Sequence, residues 1–196
     1  MTKRLYSVLF LAMAVLLLSN CSPETISSAP ANLSAIQRVE RGKYLVTAIG
    51  CNDCHTPLKM TDQGPVPDMT RMLSGHPSSL KMPRPPQLKP GPWVAVSAGT
   101  NTAFAGPWGV TFAANLTPDQ NSGLGIWTEG MFVRAIRTGR HMGTSRQINP
   151  PMPWGAFRNL NDEDLKAIYA YLRSIPPIVN LVPDYLEPQE VETALR

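Results

Sequence analysis

The stretch "GCNDCHTP", residues 50–57, sets two thiols three positions apart and an imidazole directly after the second. Three kinds of chemistry use such a group: a thiol–disulfide redox pair, one part of a zinc site, or the covalent attachment of a haem. Cys51, Cys54 and His55 are therefore the residues on which both fold and function turn.

Compartment bears on cysteine chemistry, and the N-terminus speaks to it. Lys3 and Arg4 precede the apolar run "LYSVLFLAMAVLLL", residues 5–18. The run is shorter than the roughly 20 residues a membrane span needs and sits where a secretory h-region belongs. Residues 1–20 read as a signal peptide, and the protein as exported. The ending "LLLSNC" resembles a bacterial lipobox, with Asn20 where Gly or Ala is usual. That resemblance implies lipid attachment at Cys21, and a lipid-anchored protein on the periplasmic side of a bacterial membrane. Residues 21–34, which contain "SPETISSAPAN", read as a flexible tether. Loss of Lys3 and Arg4 takes the formal charge from +4 to +2. So small a charge gives no basic footprint for nucleic acid.

The remainder has the length of one domain, predicted over residues 35–177, with a C-terminal tail over 178–196. Three helices are expected. The first, roughly residues 33–50, repeats Ile36, Val39, Val46 and Ile49 at near-helical spacing, with Gly42 as a notch. The second runs from Thr128, a good N-cap, through Phe132, Ala135 and Ile136 to a stop at Gly139. The third is capped by Asn161. Asp162, Glu163 and Asp164 complement its positive end, Leu165, Ile168, Tyr169, Leu172 and Ile175 form its stripe, and Pro176 follows. Between the first two lies a Pro-rich, loop-rich insertion, residues 58–112, whose runs "WVAVSA" and "WGVTFAA" are candidates for two short strands. The 20 prolines of the chain argue for much irregular backbone.

Against this frame the cysteine readings separate. A thioredoxin-like C-x-x-C belongs beside a βαβ pattern, and none is present. Structural zinc takes four ligands, and this cluster offers three. A plain disulfide leaves His55 without a role. Haem attachment uses all three residues: the thiols add to the two vinyl groups and the adjacent imidazole becomes the proximal iron ligand. One such motif implies one haem c.

The sixth ligand decides between an electron carrier and an open-site haem protein. Met60, Met69, Met72, Met82 and Met142 lie in predicted loops, whereas Met131 sits on a helix. Met152, in "INPPMPWGAF", is set among Pro150, Pro151 and Pro153, whose fixed φ angles make the segment stiff and whose missing N–H groups suit a dry crevice. That favours Met152 over Met142 by a modest margin.

Three stretches occur in order: "ERGKYLVTAIGCNDCHTP", "NLTPDQNSGLGIWTEGMFVRAIRTGR" and "PPMPWGAFRNLNDEDLKAIYAYLRSIPP". Together they resemble a class I, mitochondrial-type cytochrome c domain. They are most similar to the cytochrome c modules that serve periplasmic alcohol, aldehyde and gluconate dehydrogenases. The resemblance implies an all-α fold of about three main helices around one covalent haem. It implies Met152 as the second metal ligand beside His55, and packing of Gly42 and Tyr44 against Tyr169 or Leu172. Such dehydrogenase subunits usually carry three haem motifs, and this chain carries one.

The function implied is a mono-haem electron carrier rather than an enzyme, with a redox protein partner such as a periplasmic dehydrogenase or a terminal oxidase. Two alternatives stay open: a subunit fixed to one dehydrogenase, and a haem enzyme or gas sensor with an open sixth site. Trp127 is a candidate donor to a haem propionate, and Asn115 either faces the haem or caps a turn. Arg134, Arg137 and Arg140 read as a solvated helix face. His76 and His141 read as loop histidines, and Trp93, Trp108 and Trp154 as packing residues.

Overall fold

Ser34 opens the first helix with a reciprocal cap. Its hydroxyl accepts from the Gln37 backbone N–H, and the Gln37 side chain accepts from the Ser34 N–H. The computed structural model of the protein describes residues 33–194. The predicted signal peptide, Cys21 and all but the last two tether positions lie outside the described residues.

In chain order the elements are α1 (Ala35–Ala48), α2 (Cys51–His55), strands β1 (Leu58–Thr61) and β2 (Gly64–Pro67), then β3 (Val96–Ser97), β4 (Ala103–Gly106) and β5 (Gly109–Phe112). They continue with α3 (Glu129–Thr138), α4 (Trp154–Phe157), α5 (Asp162–Ser174) and α6 (Pro188–Ala194). The caps follow the chemistry of the sequence. Thr128 accepts from the Met131 N–H, Asn161 accepts from the Asp164 N–H at 2.7 Å, and Gly139 ends α3 in the left-handed region at φ 65°.

The principal helix pair is α1 against α5, and a missing side chain permits it. A Cβ on Gly42 would stand 1.9 Å from the Ala167 carbonyl oxygen and 2.8 Å from the Tyr171 Cβ. The two backbones thus meet nearly in contact, and Leu45, Val46, Leu165, Ile168 and Leu172 close a core around the crossing with Phe132 and Ile136 of α3. Arg41 ties the pair at its rim through a two-pronged bond to Asp164 at 2.8 and 3.2 Å. Two expectations need correction. Gly42 packs on Ala167 and Tyr171 rather than on Tyr169 or Leu172, and Tyr44 is 62 % exposed, beneath the Arg41 guanidinium. Ile36 is also out in solvent at 78 %, whereas Leu45, outside the expected stripe, is buried.

The expectation of an all-α fold holds for the frame and not for the insertion. β1 and β2 form a hairpin, and β3, β4 and β5 form an antiparallel sheet in that order. The two apolar runs singled out in the sequence do contain β3 and β5. They do not pair with each other, because β4 lies between them. Trp93 is 78 % exposed, not a packing residue. It lines, with Pro85, Pro86, Leu88 and Val94, a groove of about 410 Å³ on the insertion.

Residues after Pro177 are fastened to the rest. Leu186 bridges Val110 through two backbone bonds of 2.9 and 3.0 Å, and the Tyr185 hydroxyl donates to the Trp108 carbonyl. Asn180 is buried at a junction: its amide donates to the Ser74 carbonyl (2.7 Å) and the His76 carbonyl (2.9 Å), and its oxygen accepts from the Ser78 N–H. Asn115 is buried as well. It accepts from the Thr117 N–H and hydroxyl and donates to the Ile178 carbonyl at 2.8 Å, so it caps a turn and holds the chain beyond Pro177.

Candidate haem site

Gly50 ends α1 in the left-handed region at φ 74°, so the chain reverses and starts α2 at the next residue. The reversal puts Cys51 and Cys54 on one turn of helix, three apart and on the same side, with His55 closing it. No disulfide joins the two cysteines. Burial pushes the Cys51 thiol up to about 12 and raises that of Cys54, and the Asp53 carboxylate adds to both shifts. A redox-exchange cysteine needs the opposite shift, toward thiolate. Among the described residues no group of three or more His, Cys, Asp or Glu side chains could hold a metal ion. Neither the redox-pair nor the zinc reading therefore has support in the geometry.

His55 is buried, and its Nδ1 lies 2.7 Å from the Ala114 carbonyl oxygen. A carbonyl only accepts, so Nδ1 carries the proton and Nε2 carries the lone pair. Burial pulls the pKa of the ring down more than the bond to Ala114 lifts it, which keeps the imidazole neutral. No hydrogen bond engages Nε2 among the described residues. A neutral, oriented imidazole with its outer nitrogen held by a carbonyl is what metal ligation by histidine asks for. The turn is braced from behind. Thr56, fully buried, donates to Asn52 Oδ1 and accepts from the Leu73 N–H, and the Gly75 N–H donates to the His55 carbonyl.

The candidate sixth ligands sort by position. Met60 and Met69 are 74 % and 59 % exposed. Met72 packs against the core, but beside Leu73 and Gly75, the residues that brace the His55 turn. Met142 stands in a tight turn with φ 54°. Met152 packs against the core from the loop between α3 and α4. That loop is held at both ends. Gly139 leaves room for the Trp154 ring, which would lie 2.4 Å from any Cβ there. Arg137, at the end of α3, donates to the Leu160 carbonyl at 2.7 Å and to the Arg158 carbonyl, and pairs with Asp162. Arg137 is thus a clamp around the α4–α5 junction rather than part of a solvated face, a role that helix spacing could not reveal. Arg140 donates to the Ser145 carbonyl.

The other singled-out residues have structural partners. Trp127 stands edge-on to His141 with ring centroids 5.1 Å apart, and its carbonyl accepts from the Tyr169 hydroxyl. His76 is fully buried in the insertion. It donates from Nε2 to the Leu80 carbonyl and accepts at Nδ1 from Thr102.

A family model described as cytochrome c matches residues 39–176. The chain belongs to the cytochrome c family. It takes one covalent haem c within these 196 residues, whose single C-x-x-C-H turn is that of α2. The cytochrome is 29 % identical over 159 residues to the fructose dehydrogenase cytochrome subunit of Gluconobacter japonicus, a match covering 81 % of this chain and 26 % of that one. It is 26 % identical over 147 residues to the gluconate 2-dehydrogenase cytochrome c subunit of Pantoea cypripedii (74 % and 25 %). It is 35 % identical over 82 residues to the cytochrome c subunit of the quinone alcohol dehydrogenase of Gluconobacter oxydans (40 % and 17 %). The chain thus spans about a quarter or less of the length of these relatives. No helix among the described residues is long and apolar enough to cross a membrane.

Proposed function

We propose that the cytochrome carries single electrons, with its haem bound through Cys51 and Cys54 and its iron held between His55 and Met152. The observation that carries the reading is the His55–Ala114 bond, which leaves a neutral imidazole with Nε2 as its lone-pair nitrogen. When bound, the haem would supply a one-electron ferric–ferrous couple, and ligation by the Met152 thioether would raise its potential. The chain's own residues do the rest. The Ala114 carbonyl fixes the imidazole plane, the helical turn of α2 sets the two thiols on one side, and the Met152 loop covers the core. Were His55 and Met152 both to ligate the iron, no site would be left for substrate or gas, which favours a carrier over a haem enzyme or sensor.

The partner we propose is a periplasmic dehydrogenase, since the relatives are named as cytochrome subunits of fructose, gluconate and alcohol dehydrogenases. A terminal oxidase is the other side of the same electron path. We further propose that Cys21 is lipid-modified after removal of residues 1–20, and that this anchors the domain on the periplasmic face of a bacterial membrane. The sequence "LLLSNC" after an apolar run supports it. Mass spectrometry of the purified mature N-terminus tests the anchor. A diacylglyceryl group on Cys21 supports it and an unmodified mature cysteine overturns it. Optical spectra of the oxidised and reduced protein, with a Met152→Ala variant beside the wild type, test the ligand set. A sulfur-to-iron charge-transfer band present in wild type and lost in the variant is the expected result.

A further inference from the structure

One short stretch of chain, at the end of the insertion and just beyond it, reaches the surroundings of both proposed iron ligands. At one end Thr111, in β5, donates its hydroxyl to the Pro150 carbonyl at 2.7 Å, two residues before Met152. At the other end Ala114, three residues on, accepts from His55 Nδ1 at 2.7 Å. The backbone between them is fixed. Ala113 N–H donates to the Thr102 carbonyl at 2.8 Å, the Ala113 carbonyl accepts from the His76 N–H at 2.9 Å, and Val110 is bridged to Leu186.

The bond to Pro150 matters because of what the Met152 loop lacks. Pro150, Pro151 and Pro153 have no N–H to donate. Among the described residues, the Thr111 hydroxyl makes the one hydrogen bond that residues 149–152 receive. The hydroxyl is itself aimed. Trp108 Nε1–H donates to the Thr111 oxygen at 3.2 Å, so the hydroxyl proton is free to point at an acceptor. Of the two carbonyls in reach, Pro150 at 2.7 Å is far better placed than Phe104 at 3.4 Å.

We propose that the stretch from Thr111 to Ala114 is a brace between the two axial ligands, with Thr111 a positioning residue for the loop that presents Met152. The proposal rests on Met152 being the sixth ligand. Its consequence is that the insertion acts on the iron site itself: it sets how firmly the thioether is held, and so how readily an outside ligand displaces it.

The test uses imidazole as a competitor for the sixth position of the ferric protein, in wild type, Thr111→Val and Thr111→Ser. Valine keeps the branched shape that suits a strand and removes only the hydroxyl function, whereas serine restores it. Loss of one hydrogen bond to the loop predicts that Thr111→Val binds imidazole about tenfold more tightly than wild type. Thr111→Ser should stay within about twofold of wild type on the same reasoning. Thermal unfolding of all three confirms that the fold is comparable. A Thr111→Val protein that is folded, shows the charge-transfer band and binds imidazole like wild type overturns the brace alone. A Thr111→Ser protein that behaves like Thr111→Val also overturns it, because packing rather than the hydroxyl would then be responsible. A wild type without the band overturns the Met152 assignment and the brace with it.

Discussion

His55 donates its Nδ1 proton to the backbone carbonyl of Ala114 at 2.7 Å, across 59 positions of sequence. The bond joins the helical turn that carries the cysteines to the segment that follows β5. The chain leaving the insertion therefore supplies the acceptor that sets the tautomer of the proposed proximal ligand.

Gly42→Ala is expected to weaken the frame without touching the site. The new methyl would fall 1.9 Å from the Ala167 carbonyl, so α1 and α5 must part. Overpacking of this kind costs about 1–3 kcal/mol. Chemical denaturation of the haem-loaded protein should show the loss, with the oxidised and reduced spectra unchanged. A stability equal to wild type would mean that the helices do not meet as described.

Asn180→Ala should be among the more damaging changes. It strands the Ser74 and His76 carbonyls and the Ser78 N–H at a buried junction. A buried polar group left unpaired costs on the order of 1–3 kcal/mol. Limited proteolysis should cut the chain beyond Pro177 first in this variant, and resistance equal to wild type would contradict the role.

Arg137→Met keeps the length of the stem and removes the clamp on the Leu160 and Arg158 carbonyls. Hydrogen bonds from a charged donor are worth about 1.5–3 kcal/mol, and most of that should survive in high salt because the acceptors are carbonyls. A loss in denaturation midpoint that disappears in molar salt would instead point to the surface pair with Asp162.

His76 gives the stability a pH dependence. Burial lowers its folded pKa below the ordinary 6.5, so the unfolded chain binds the proton more tightly. Stability is then full above about pH 6.5 and declines as pH falls below it, by at most about 1.4 kcal/mol per pH unit for one such group. His141 is shifted the same way by burial and by Arg146, and adds to the decline. Asp68, Asp119 and Asp162 have lowered values and act only at more acid pH. Denaturation at pH 7.5 and pH 5.5 should show a smaller difference in His76→Gln than in wild type. Equal differences would contradict the assignment.

The helical frame was legible because its signals are local. Thr128, Gly139 and Asn161 mark helix ends through bonds to neighbours within four residues. The C-x-x-C-H turn is legible for the same reason, its residues being contiguous. What pairs across the fold was not. β4 hides in "AFAG", four residues with no alternation, and its partners are set by the sheet rather than by propensity. Packing of Tyr44 was implied by the family resemblance alone, and the helix turns it outward. Asn180, in "IVNLVP", gives no local sign that it anchors the chain beyond Pro177, since Val179 and Leu181 on either side of it are exposed. The Ala114 and Pro150 carbonyls carry no sequence signal, since every residue has one.

The most direct test of the central claim is a spectrum of the purified wild type, oxidised and reduced, with a count of covalent haem, beside Cys51→Ala, Cys54→Ala and Met152→Ala. The account predicts one haem that stays on the chain in denaturant, a charge-transfer band in ferric wild type that Met152→Ala loses, and impaired covalent attachment in both cysteine variants. A wild type lacking the band, or a band that survives Met152→Ala, would contradict it.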